Sequence, residues 1–384
     1  MNEPVSRAPL KFPLPAPAAV GMPVDQVDTP ALLLDLDAFE RNLARLPQSL
    51  RGSSIRLRPH AKSHKCPEIA LRQVAHGAVG VCCQKVSEAE ALVQGGVKDV
   101  LVANEIVGDK KLGRLAELAR YARIGVCVDD AGNVGDLQRA ARKAGTSIDV
   151  LVEINVGANR CGVEPGAPVL ALAQVIAGRE GLRFRGLQAY HGAAQHLRTP
   201  EQRRQAIAEA VEKVSMSVAL LRDNGLQPEI VTGAGTGTYL LEAASQVYNE
   251  LQPGSYVFMD ADYGRNLADD GKPVHEFEQS LFILATIMSR TAPERAVVDV
   301  GLKAHSIDSG MPLVHGIPGA AYLRASDEHG VLQLAEPSAI RLGQKIRLIP
   351  GHCDPTVNLY DWLVCYRAER VEAIWPISAR GAFY

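Results

Sequence analysis

The stretch RPHAKSHK, residues 58 to 65, sets Lys62 and Lys65 among two histidines just where the β-rich run SIRLRP stops. A lysine there is ordinarily a solvated loop residue. Desolvated by a barrel wall, its pKa would instead fall, leaving free amine to attack an aldehyde. A second group, GHCDPTVNLYD (351 to 361), places His352 and Asp354 two residues apart. On an extended segment both side chains point to one side and Cys353 to the other. Such a pair holds a divalent cation with water or substrate completing the sphere, or is simply a hydrogen-bonded His/Asp pair at a strand end. The loop TGAGTGTY (232 to 239) holds three glycines and three threonines before a helix start, and PGSY (253 to 256) adds glycine and a hydroxyl. Backbone amides free of side-chain obstruction cradle phosphate. The loop lacks the lysine of a nucleotide P-loop, which argues against a nucleoside triphosphate.

These residues need a scaffold. From residue 55 onward, β-branched runs alternate with amphipathic segments about every 20 to 25 residues, beginning SIRLRP then CPEIALRQVAHG, AVGVCC then VSEAEALVQGG. The series runs through DVLVAN, IGVCV, SIDVLVEIN, FRGLQAY and EIVTGAG to SQVYNELQPGSYVFM. Eight strand candidates in one βα series predict a closed (β/α)8 barrel of the TIM type, with the active site at the C-terminal strand ends. Lys62, Gln84, Asn104, Arg160, Tyr190 and His191 fall at such ends, as does the loop 232 to 239. After about residue 275 the helical period disappears and turn-linked strands follow, a C-terminal β domain. The run TPALLLDLDAF (29 to 39) is a candidate extra strand for it. The reading is an arm over 1–26, a barrel over 38–275, and a β domain from 27–37 plus 276–384.

Composition narrows the function. A net charge of −2 over 384 residues argues against nucleic acid or an anionic membrane as main partner and favours a small substrate. Seven cysteines without CxxC spacing speak against a disulfide framework and for a reducing, cytoplasmic setting. The proline-broken N-terminus has no signal-peptide core, and no uncharged apolar run reaches membrane-spanning length. The arm is expected to pack on the surface or on a partner subunit. A lysine beside a phosphate cradle at a barrel mouth suits pyridoxal phosphate, which needs a Schiff-base lysine, an anion site and a flat slot.

RPHAKSHK, VCCQKVSEAEALVQGG, NRCGV, LQAYHG, TGAGTGTY, ELQPGSYVFMDADYG and HCDPTVNLYD together make the chain resemble the D-threonine aldolase family of fold-type III pyridoxal phosphate enzymes, from about residue 27 to the C-terminus. SIDSGMP, SDEHGV and WPISARG lean toward its D-3-hydroxyaspartate aldolases. The resemblance implies cleavage of a D-3-hydroxy amino acid to glycine and an aldehyde. It implies Lys62 as the lysine bonded to the cofactor, Lys65 remaining a solvated helix-start residue. Tyr190 then supports the cofactor, with Gln84 in the same pocket. Thr236, Gly237, Gly254, Ser255 and Tyr263 surround its phosphate. Arg160 approaches the phenolic oxygen, the other reading being a surface salt bridge. Gln252 stands where the related alanine racemases have an arginine facing the pyridine nitrogen. The metal ligands map to His352 and Asp354. D-serine dehydratases carry His-x-Cys with zinc, so the harder Asp oxygen favours manganese, magnesium or calcium, and aldol cleavage over dehydration. Cys353 reads as a packed thiol. His196 is the candidate base for the substrate hydroxyl. The alternatives are a D-serine or 3-hydroxyaspartate dehydratase and a non-catalytic cofactor carrier. A second substrate carboxylate would find Lys303, His305, Ser306 or Ser309. The resemblance also implies a homodimer with mouths completed across the interface.

Overall fold

The computed structural model describes residues 16–335 and 340–384. Residues 1–15, most of the expected arm, lie outside the described residues. Gly21 and Val24 tie the following segment to the C-terminal sheet through the carbonyls of Val371 and Glu369.

The chain enters through β1 (Ala31–Asp35) and α1 (Leu36–Ser49), capped by the Asp35 carboxylate, which accepts from the Ala38 amide at 3.1 Å. Eight parallel strands follow: β2 (Arg56–Leu57), β3 (Val81–Cys83), β4 (Asp99–Glu105), β5 (Arg123–Val128), β6 (Ile148–Glu153), β7 (Leu182–Ala189), β8 (Ile230–Gly233) and β9 (Glu250–Leu251). Between them run α2 (Pro67–Ala75), α3 (Val86–Gln94), α4 (Asp109–Leu118), α5 (Ala131–Ala144), α6 (Ala167–Ala177), α7 (Pro200–Asp223) and α8 (Tyr239–Ala244). The sheet runs β2-β9-β8-β7-β6-β5-β4-β3. Its ends meet where Val79 N donates to Leu57 O at 2.8 Å and Cys82 N to Pro59 O at 2.9 Å, closing the barrel. The fold is therefore the expected (β/α)8 barrel. The last strand is only two residues long, because Pro253 cannot donate to the ladder and the chain turns into a short 3-10 segment, Ser255–Val257.

The barrel interior is layered. Cys82, Leu101, Ala103, Cys127, Leu151 and Ile230 form an apolar middle. Below it, Arg58 pairs with Glu250 at 2.9 Å and Asp99 at 2.6 Å. Above it lies the polar mouth.

The second unit is a sheet of β10 (Leu281–Ala292), β11 (Arg295–Val298), β12 (Leu313–His315), β13 (Ala320–Ala325), β14 (Gly330–Leu334), β15 (Lys345–Ile349), β16 (Trp362–Arg367) and β17 (Arg370–Pro376), with a short α9 (Cys353–Val357) between β15 and β16. β1 lies between β10, antiparallel, and β16, parallel. Its strand alternation serves two cores: Leu32 and Leu34 face the barrel's cluster, Ala31 and Leu33 the outer one. Among the described residues, no helix is long and apolar enough to cross a membrane.

Candidate active site

Lys62 sits on a single 3-10 turn, Ala61–Ser63, just past β2. His60 caps that turn: its Nδ1 accepts from the Lys62 amide at 3.4 Å while its Nε2 meets Gln84 Nε2 at 2.9 Å. The Lys62 amine makes an ion pair with Asp354, across the boundary between barrel and β domain. Burial pulls the Lys62 pKa down, but the Asp354 carboxylate outweighs it and holds the amine above the usual lysine range. That corrects the expectation of a lysine lowered by desolvation alone. Burial would raise Asp354, yet Lys62 and His352 keep it well below the ordinary carboxylate range.

The segment carrying His352 and Asp354 is not a strand, another departure from the sequence reading. His352 is extended, but α9 begins at Cys353, so Asp354 lies in a first helical turn. His352 Nδ1 lies 2.7 Å from Asp308 Oδ2, which leaves Nε2 as the lone-pair donor. Imidazole Nε2 and the Asp354 carboxylate are a donor set suited to a divalent cation with open positions. Cys353 is fully buried and its thiol is pushed up, as a packed thiol should be. The Asp260 carboxylate and the Asp262 backbone amide bolt this segment in place. Asp260 accepts from the Cys353 amide at 2.8 Å and the Tyr263 amide at 2.9 Å, and the Asp262 amide donates to Gly351 O at 3.1 Å.

His196 ends a 3-10 turn, Gly192–His196, ahead of α7, whose Thr199–Gln202 capping box fixes the chain's direction. Its Nδ1 lies 2.6 Å from Asp262 Oδ2, so Nδ1 carries the proton and Nε2 the lone pair. Arg198 and Arg265 also bind Asp262; burial would raise this carboxyl, but Arg198, His196 and Arg265 hold it below its ordinary value.

Thr236, Ser255 and Tyr263 are all buried, and the Thr236 hydroxyl has no protein partner. A Cβ on Gly254 would stand 3.0 Å from the His60 carbonyl, so a side chain there would push these backbones apart by a few tenths of an ångström. An orphaned hydroxyl on a glycine-built turn fits the phosphate of a phosphorylated aldehyde. Gly237 donates its amide to Gln195 Oε1 at 2.9 Å, so it shapes the loop rather than offering a donor. A cavity of about 420 Å³ opens beside it, lined by Thr236, Gly237, Met259 and Tyr263.

Arg160 lies 5.8 Å from the Tyr190 ring centroid and 3.6 Å from Glu153, half exposed, which is the ion pair of the second sequence reading. Gln252 is buried inside the barrel, its amide donating to Gln188 at 2.8 Å and Thr232 at 2.9 Å. Lys65 is not solvated: it is 8% exposed, with φ +53°, and its amine pairs with Glu88. His305 is buried against the Tyr322 hydroxyl at 2.9 Å, and Lys303 points to Glu328 at 2.7 Å, so neither serves the mouth. Ser306 and Ser309 both bond to Asp308. His60, Glu88, Asp260, Asp262 and Asp308 were missed; MDADYG and SIDSG contain the last three, beside residues already singled out. Glu105, Asp129 and Cys161 also converge at the mouth near Glu153, whose carboxyl burial and Glu105 push up to about 8.

The family model for the alanine racemase N-terminal domain matches residues 34–262, and a serine dehydratase domain model matches residues 280–366. A D-threonine aldolase of Arthrobacter sp is 51% identical over 96% of this chain and 97% of its own. A 3-hydroxy-D-aspartate aldolase of Paracoccus denitrificans (strain Pd 1222) is 48% identical over 96% of each. The crystal structure of D-threonine aldolase from Filomicrobium marinum superposes with a TM-score of 0.93 at 53% identity, covering 97% of this chain and 100% of that one. Relatives named as dehydratases are more distant, the Delftia sp. enzyme at 30% identity. On this sequence and fold, the chain belongs to the family of D-threonine and 3-hydroxy-D-aspartate aldolases, built on the alanine racemase N-terminal domain.

Proposed function

We propose that the protein is a pyridoxal phosphate- and divalent cation-dependent aldolase that opens the Cα–Cβ bond of a D-3-hydroxy amino acid to give glycine and an aldehyde. The observation that carries this reading is the facing of Lys62, on the barrel, and Asp354, on the β domain, with the His196–Asp262 pair anchored to the same carboxyl-bolted segment. Lys62 would bond the cofactor aldehyde; Thr236, Gly254, Ser255 and Tyr263 would hold its phosphate, with Tyr190, Gln84 and Arg160 flanking it, and His352 and Asp354 would hold the cation. When bound, the cofactor supplies a sink for the electron pair left on Cα and the cation a Lewis acid beside the substrate hydroxyl. His196 Nε2 takes the 3-hydroxyl proton, and Asp262 stabilises the imidazolium that forms. Losing that proton lets the Cβ oxygen become a carbonyl as the Cα–Cβ bond opens.

D-Threonine is the proposed better substrate. A second carboxylate would need a cation, and Arg265 is spent on Asp262 and Ser309 O, as Arg198 is on Asp262. Product analysis with D-threonine and both D-3-hydroxyaspartate diastereomers, each with manganese, magnesium or calcium, tests the reading. Glycine with equimolar aldehyde is expected, fastest from D-threonine; a 2-oxo acid plus ammonia would make the protein a dehydratase instead.

A further inference from the structure

Glu242, on α8 just past the phosphate loop, is 1% exposed. Its Oε1 accepts from the Thr238 hydroxyl at 2.9 Å, while its Oε2 is buried with no hydrogen-bond partner. Thr238 Oγ1 in turn accepts from Gln195 Nε2 at 2.8 Å, and Gln195 Oε1 takes the Gly237 amide at 2.9 Å. The Gln195 side chain also walls the loop: a Cβ on Gly235 would lie 2.5 Å from its Oε1. One line of hydrogen bonds therefore joins a buried carboxyl to the turn that carries the orphaned Thr236 hydroxyl. It passes through the residue next to His196.

No charged side chain among the described residues neutralises Glu242. The titratable groups that face it are phenols: Tyr248, whose hydroxyl donates to Ala189 O at 2.9 Å, and Tyr190 beyond β7. A carboxylate in this slot would keep a full charge against one side-chain donor and its own helix amide, which is far more costly than a neutral acid.

We propose that Glu242 is a positioning residue of the phosphate cradle: as the neutral acid it anchors loop 235–237 through Thr238 and Gln195, and its ionisation weakens the hold on an anion there. This rests on the reading of that loop as the cofactor phosphate site. Burial pushes the Glu242 carboxyl up to about 7, the Thr238 hydroxyl and its own amide pulling back, so the change falls within the neutral range. The sign is fixed. As pH rises the proton leaves, a buried negative charge appears beneath the loop, and the affinity for a bound anion falls.

Apoprotein binding of pyridoxal phosphate, followed by fluorescence quenching between pH 6 and pH 9, tests this for wild type and Glu242→Gln. Sulfate, which neither titrates in that range nor bonds to an amine, serves as a second probe. For both ligands the ratio of wild-type to variant Kd is expected to climb about tenfold across the range. A ratio flat with pH for either ligand overturns the inference and leaves Glu242 a packing residue. Should Glu242→Gln misfold, Glu242→Met removes the same charge and carries the same expectation. Failure of wild type to bind pyridoxal phosphate at any pH would sink the cofactor reading itself, and this inference with it.

Discussion

Asp262 gathers Arg198, Arg265 and His196, and of these only the imidazole has a ring nitrogen lone pair to offer a substrate. The imidazole is oriented, not merely nearby, and a positioned base contributes about 10²- to 10⁴-fold. His196→Phe should lower kcat by that order while leaving cofactor absorbance unchanged; turnover within about threefold of wild type would move the proton transfer elsewhere. At this scale Lys62, His352 and Asp354 were legible as candidates because residue type and short spacing singled them out, and the structure brings Lys62 and Asp354 together. Asp262 was not, since its bond to His196 spans 66 positions, and no local pattern marks such a pair. Lys65 was misread for the same reason. Its burial depends on Glu88, 23 residues on, which supplies the counter-charge that lets a lysine leave water.

Strand ends deliver these side chains, and what keeps the strands in register lies below them. Arg58 has 6% of its side chain exposed and answers Glu250, which has 1%. Removing Arg58 leaves the buried Glu250 carboxylate only the longer pairing with Arg56 at 3.8 Å, and breaking a buried pair in this way typically costs about 3 to 5 kcal/mol. Arg58→Met should therefore lower the unfolding free energy by about that amount in urea titration, with KM of the folded protein unaltered; a loss under about 1 kcal/mol would show the pair to be incidental. The barrel strands were readable because alternating βα segments repeat a strong hydrophobic period. The His352–Asp354 segment was harder. Its His-x-Asp spacing suggested a strand, but Asp354 and Pro355 are residues that favour a helix's first turn, and α9 starts there. Pro253 likewise shortened the eighth barrel strand to a pair of residues.

Across the whole molecule, β1 is the seam: one strand whose alternate residues face two cores, so neither unit is complete without it. That arrangement was legible as an apolar run ahead of the βα series. Its partners were not, because β10 and β16 lie some 250 and 330 positions away. The seam sets the Lys62 turn against α9, and Asp260 and Asp262 lock the facing loops at that distance. On the proposed reading chemistry sits between the units, with the Lys62 amine on one and His352 and Asp354 on the other. The account stands on where the coenzyme is attached. Borohydride reduction of the holoprotein, followed by digestion and mass spectrometry, reads that directly: the phosphopyridoxyl mass is predicted on Lys62 alone and absent from Lys62→Ala, whereas a label on Lys65 or any other lysine, or none at all, would contradict it.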